Sequence, residues 1–124
     1  MYRYSTELLL KLVMELAERV PGMTADTQNP ESNAQFPRCI VQPPLQRPAN
    51  RGGSVDLSFT VEVWAEQQFD CVRLFDAVRE QLETINLIPS NNTPLFRDVI
   101  GKWRFGGYFE CRWNALTNAL ERNR

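Results

Sequence analysis

A chain of 124 residues, 43% apolar and 23% charged, is long enough for one globular domain with a modest core. Its 14 basic and 15 acidic residues nearly cancel, which excludes bulk charge attraction to nucleic acid or to an anionic membrane and leaves only local patches. Histidine is absent, and with it go Ser-His and Cys-His nucleophile pairs, the usual zinc sites and the commonest general base, so neither cofactor nor metal is expected.

The N-terminal stretch MYRYSTELLLKLVMELAERV reads as an amphipathic helix capped by Ser5 or Thr6. Leu9, Leu12, Val13, Leu16 and Val20 fall on one stripe, and Lys11, Glu15, Glu18 and Arg19 lie off it. Acidic residues inside the pattern and the lack of a small-residue cleavage site argue against a signal peptide. Apolar runs such as Leu8-Leu9-Leu10 are far too short to span a membrane. Pro21-Gly22 stops the helix, and the polar MTADTQNPESNAQ that follows reads as an exposed connection.

FPRCIVQ, from Phe36 to Gln42, is a short strand. The next segment, PPLQRPANRGG, is expected outside any sheet, because proline removes ladder donors and glycine favours turning. After it Val55, Leu57, Phe59, Val61 and Val63 alternate with Asp56, Ser58, Thr60, Glu62 and Trp64, a clear period-two strand. The two strands form a hairpin with a long basic tip carrying Arg47 and Arg51.

Gln67 to Asn86 is a second helix with the apolar stripe Cys71, Leu74, Phe75, Val78, Leu82 and Ile85, and with Asp70 placed to suit the helix dipole. A turn-rich segment with a short strand at Phe96 to Ile100 leads into the last strand, from Lys102 to Asn114. There Trp103, Phe105, Gly107, Phe109, Cys111 and Trp113 form an aromatic face, and Lys102, Arg104, Gly106, Tyr108, Glu110 and Arg112 a mostly charged one. The order α-β-β-α-(β)-β implies a single α+β domain over residues 1–124, two helices packed on a mainly antiparallel β-sheet with a long β-hairpin.

Few residues suggest chemistry. Cys39, Cys71 and Cys111 are odd in number and far apart, as expected of free, buried thiols in a reducing compartment. Glu62 and Glu110 face each other in one reading as an acid/base pair, and in the other each is neutralised by Arg104 or Arg112 on a solvated face. Gly52-Gly53 lacks the lysine and the strand-loop-helix context of a phosphate loop, and Gly106-Gly107 marks a bulge or a close backbone approach within a strand. Arg47, Arg51, Lys102, Arg104 and Arg112 beside Tyr108 make a basic surface that single-stranded nucleic acid could use, although most aromatics lie on the opposite face. Trp64 sits on the polar parity of its strand, so Arg47, Arg51, Trp64, Arg104, Tyr108 and Arg112 are the candidate contacts with a partner.

The run SFTVEVWAEQQFDCVRLFDAVREQLETI, a Pro/Asn-rich connection, and then GKWRFGGYFECRWNALTNALERNR resembles the tail terminator (tail completion) proteins of long-tailed bacteriophages. Those proteins have a strand ending in tryptophan, an amphipathic helix, and a late aromatic-basic strand leading to a short tail, here Asn114-Ala115-Leu116-Thr117-Asn118. Element order resembles the family over most of the chain, and residue pattern over about residues 58 to 124. The resemblance implies a sheet flanked by helices, a six-fold homo-oligomeric ring in the virion neck, no catalytic residues and no membrane. The implied partners are the tail tube protein and the head connector or stopper proteins, with DNA passing through the ring without specific binding. Head-tail joining proteins share this size and style, so a connector or stopper is the nearest alternative. A nucleic-acid-binding α+β module and a small histidine-free enzyme are the alternatives of other classes. The proline-rich PPLQRPANRGG has no matched counterpart in the family pattern.

Overall fold

The computed structural model describes residues 2–42, 44–48, 54–114, 117 and 119–121. Two helices, α1 (Tyr2–Ala17) and α2 (Gln68–Glu83), cover one face of a single sheet. Its strands are β1 (Thr24–Asp26), β2 (Arg38–Val41), β3 (Leu45–Pro48), β4 (Ser54–Ala65), β5 (Asn91–Asn92), β6 (Phe96–Arg97), β7 (Trp103–Asn114) and β8 (Ala119–Leu120). The sheet is mixed. Its long path runs β1-β2-β4-β7-β5, with β3 on β4, and β6 and β8 on β7; among the described residues only the β1–β2 pair is parallel. The expected α+β layering of two helices on a mainly antiparallel sheet is therefore correct.

The sheet is built on β4 and β7, paired antiparallel through twelve residues from Ser54↔Asn114 to Ala65↔Trp103. Alternation does the sorting. Val55, Leu57, Phe59, Val61 and Val63 of β4 and Phe109, Cys111 and Trp113 of β7 are all buried with the helix stripes. Phe59 stacks on Phe109 at 5.4 Å between centroids, and Phe75 of α2 meets Phe105 edge-on at 5.5 Å. Leu9, Val13 and Leu16 of α1 and Cys71, Leu74, Phe75, Val78 and Leu82 of α2 fill the same layer.

Helix ends follow local chemistry. α1 starts at Tyr2, ahead of the expected cap at Ser5 or Thr6. α2 ends three residues before the expected Asn86. There Asn86 takes a left-handed φ of 68° and Leu87 N–H donates to the Leu82 carbonyl at 3.0 Å, while Asn86 N–H donates to Glu83. Together they satisfy carbonyls that the last turn leaves open.

Two expectations are corrected. The supposed connection after Gly22 contains β1, whose Ala25 is buried; Ala25 N–H donates to Glu18 Oε2 at 3.1 Å, so the strand's backbone finds a partner in a side chain. A three-residue strand is too short for alternation to show in sequence. The proline-rich segment does enter the sheet, as β3, with Leu45↔Ser58, Gln46↔Leu57, Arg47↔Asp56 and Pro48↔Val55. Gln42 N–H donates to the Thr60 carbonyl, so the even residues of β4 present their backbone groups to this edge. Leu45 and Arg47 then bond β4, and Gln46 and Pro48 turn their backbone groups outward, where a missing proline donor costs nothing. The tip at 49–53 lies outside the described residues.

Gly106-Gly107 is a close backbone approach without a register break, since every residue of β7 has a single partner on β4. A Cβ on Gly106 would overlap the Val61 carbonyl oxygen and stand 2.6 Å from Glu62 Cα, and one on Gly107 would stand 2.8 Å from Pro89 Cβ.

Candidate functional site

Helices occupy one face of the sheet, and on the other the even residues of β4 and β7 stand in cross-strand rows. The first row reads Arg38, Trp64, Arg104, Phe96 across four strands. Arg104 lies between two rings, 4.5 Å from the Trp64 centroid and 4.8 Å from that of Phe96. Its Nη2 donates to Glu62 Oε1 at 2.7 Å and its Nη1 to Asp98 Oδ1 at 3.0 Å. Burial works against the charged guanidinium, but Glu62 and Asp98 outweigh it and hold its pKa above the usual arginine value.

Gly106 makes this cluster possible. It sits opposite Glu62, and with no side chain there Glu62 can lean along the face to reach Arg104. Thr93 locks the same point from the far edge: its Oγ1 accepts from Gly106 N–H at 2.8 Å, and its own N–H donates to the Gly106 carbonyl. Ile40, opposite Glu62, and Trp64 are both about 1% exposed yet stand apart from the helix-side core. This half of the face is a second, smaller core closed by charged pairs. Lys102 lies 5.0 Å over the Phe36 ring and 3.7 Å from Glu66, and Arg38 reaches Asp26 at 3.5 Å.

The other half is open. Its rows are Gln42, Thr60, Tyr108, Asn91 and then Leu45, Ser58, Glu110. Thr60 and Ser58 form a low floor between Leu45, 76% exposed, and Tyr108, 43% exposed. The result is a groove of about 400 Å³. Glu110 is exposed on its rim and makes no ion pair among the described residues. Beyond it Asp56 and Arg112 pair at 2.9 Å, and Ser54 Oγ donates to Glu121. Asp56 holds the Arg112 guanidinium above its usual pKa, with Glu121 adding to the effect.

The six residues expected at a partner surface thus divide. Tyr108 is exposed in the open groove. Arg112 borders it, half-buried and paired. Trp64 is a correction: it is buried under Arg104, because polar parity here means the face of the second core and not solvent. Arg104 is likewise committed to Glu62 and Asp98. Arg47 lies in β3 opposite Asp56, but its side chain, like the whole of Arg51, falls outside the described residues. Glu62 and Glu110 do not face each other, since Glu62 opposes Gly106 and Glu110 opposes Ser58; the reading of an acid/base pair fails on register. Sequence reasoning missed Leu45, hidden in a segment set aside for its prolines, and Phe69, 85% exposed on the first turn of α2.

The three thiols are free and buried. Burial pushes each up to about 12, aided by Glu18 and Glu62 at Cys39, by Glu62 at Cys71 and by Asp56 at Cys111, although a backbone hydrogen bond pulls Cys71 slightly back. Cys71 Sγ donates to the Val63 carbonyl at 3.0 Å. Thiols so far from ionisation are poor nucleophiles and poor metal ligands. No group of three or more metal-ligating side chains occurs among the described residues. No helix among them is long and apolar enough to cross a membrane. No protein-family model and no curated protein sequence matches the chain.

Proposed function

We propose that this chain is a structural subunit of a phage neck, a tail terminator that assembles as a ring on the last tail-tube ring, halts polymerisation and offers a docking surface to the head connector. The observation that carries the proposal is the division of the sheet's second face. One half is sealed by its own charged core, and the other is left as an open groove walled by Leu45 and Tyr108. A small domain that covers one half of a face and leaves large side chains standing on the other is suited to receiving a neighbour. The pairing of β2 and β3 with β4 as a long hairpin and the likeness of residues 58–124 to tail terminators support the same reading.

The charge pattern favours this over nucleic-acid binding. Arg38, Lys102, Arg104 and Arg112 all face carboxylates within 4 Å, so the basic parity of β7 leaves little free charge for phosphates.

The test is polymerisation of the tail tube protein of the same phage with and without the purified chain. Tubes that stop growing, with the chain at one end only, are expected. Unchanged tube length would sink the proposal, and binding to the portal complex without binding to the tube would move the chain to the stopper position.

A further inference from the structure

We infer that the open groove receives the outer face of α2 from a second copy of this chain, in a head-to-tail contact that pairs Tyr108 and Leu45 with Phe69 and Glu110 with Arg73. The inference rests on the ring reading above and names the surfaces that would form the contact.

The two surfaces match in chemistry. Phe69 lies on the opposite side of α2 from Cys71, Leu74, Phe75, Val78 and Leu82, and is 85% exposed. Arg73 follows one turn later on the same side, with its side chain 70% exposed. Its only ion pair among the described residues is with Asp70, one turn back at 3.2 Å and half-exposed. Such a pair is screened by water and can be exchanged at little cost. In the groove Tyr108 and Leu45 supply apolar walls, and Glu110 supplies an anion with no ion pair among the described residues.

The spacing matches as well. Phe69 and Arg73 are four residues apart on a helix, a rise of about 6 Å. Tyr108 and Glu110 are two apart on a strand, about 6.7 Å. An aromatic ring and a charge on one surface therefore meet an aromatic ring and the opposite charge on the other at nearly equal separation. Ser58 and Thr60, small residues between the walls, leave room for the Phe69 ring.

The placement decides the kind of assembly. α2 packs on one face of the sheet and the groove opens on the other, so one copy cannot satisfy both surfaces and a two-fold dimer does not use both together. A contact between unlike surfaces repeats from copy to copy and closes into a ring where the rotation allows. A small ligand fits less well, because Leu45 and Tyr108 stand too exposed to enclose one.

The test is a charge swap read by sedimentation velocity over a concentration series of the full chain. Glu110→Arg and Arg73→Glu are each expected to raise the concentration for half-assembly at least tenfold, and the double variant to return it to within threefold of the parent. Phe69→Ser should weaken assembly as strongly without changing the circular dichroism or the unfolding midpoint. Lys11→Glu, on exposed α1 surface, should leave assembly unchanged. Assembly indifferent to the single reversals, or a double variant no better than either single one, overturns this contact and leaves the ring reading standing. A parent chain that remains monomeric throughout overturns the contact too, and the tube-length assay then judges the neck assignment separately.

Discussion

Replacing Arg104 by alanine should be among the most damaging single changes in this protein, and the reason can be worked out contact by contact. Glu62 is 6% exposed, and its carboxylate receives Arg104 Nη2 at 2.7 Å. Removing one partner of a buried ion pair costs about 3–5 kcal/mol, because the other charge stays desolvated. Arg104 also covers the Trp64 ring at 4.5 Å; uncovering about 40 Å² of indole adds roughly 1 kcal/mol at 25 cal/mol per Å². Against this, the Arg104 side chain is 20% exposed, so water can enter the vacated site and relieve part of the penalty. The net expectation is a loss of about 3–4 kcal/mol, and roughly 10–15 °C in Tm for a domain of this size. Urea denaturation followed by tryptophan fluorescence measures it. The decisive comparison is the double variant: with Glu62→Gln added to Arg104→Ala, the more deeply buried of the two stranded charges, Glu62 and Asp98, is gone and at least about 1 kcal/mol should return. A loss below about 1 kcal/mol for Arg104→Ala, or purely additive effects in the double variant, would refute the argument that this pair is a buried, coupled unit.

Three further outcomes are expected. Gly106→Ala should cost more than about 3 kcal/mol or abolish folding, since the added Cβ strikes the Val61 carbonyl and Glu62 Cα in the middle of the β4–β7 ladder; Gly22→Ala, whose Cβ meets nothing within 4 Å, should cost only the strain of its left-handed φ, about 1 kcal/mol. Thr93→Val should lose about 1–3 kcal/mol, because the buried Gly106 N–H then has no acceptor in place of Oγ1; amide hydrogen exchange at Gly106 should quicken with it. The thiols set an alkaline limit. Each is held neutral up to about 12 against 9.0 when exposed, so the stability linked to them is complete below pH 9 and lost as pH rises from 9 towards 12. The slope is about 1.4 kcal/mol per pH unit per thiol, and Cys39→Ala should remove close to one thiol's share from urea midpoints measured between pH 9 and 11. An unchanged slope in that variant would show that Cys39 ionises as readily folded as unfolded.

Much of this protein is determined by periodicity alone. Spacing of three and four marks the stripes of both helices, and alternation over twelve residues marks β4 and β7, because one buried face selects side chains strongly enough to show in a short window. The burial of the thiols follows from the same patterns, whereas at Gly106-Gly107 the pattern allows a bulge or a close backbone approach and only the register decides for the second. Register is a different matter. Which even residue of β4 stands beside which of β7 depends on pairing between distant parts of the chain, so Glu62 met Arg104 and not Glu110, and Trp64, polar by parity, became the floor of a second core. Two short strands escape the pattern for a related reason: β1 is held by backbone pairing to β2 and β3 by backbone pairing to β4, which imposes little pattern on their own side chains and allows prolines at an edge. Local sequence thus decided which faces are apolar. Only the tertiary structure decided which half of the polar face is sealed by its own ion pairs and which stands open at Leu45, Tyr108 and Glu110, because that depends on what folds over the sheet.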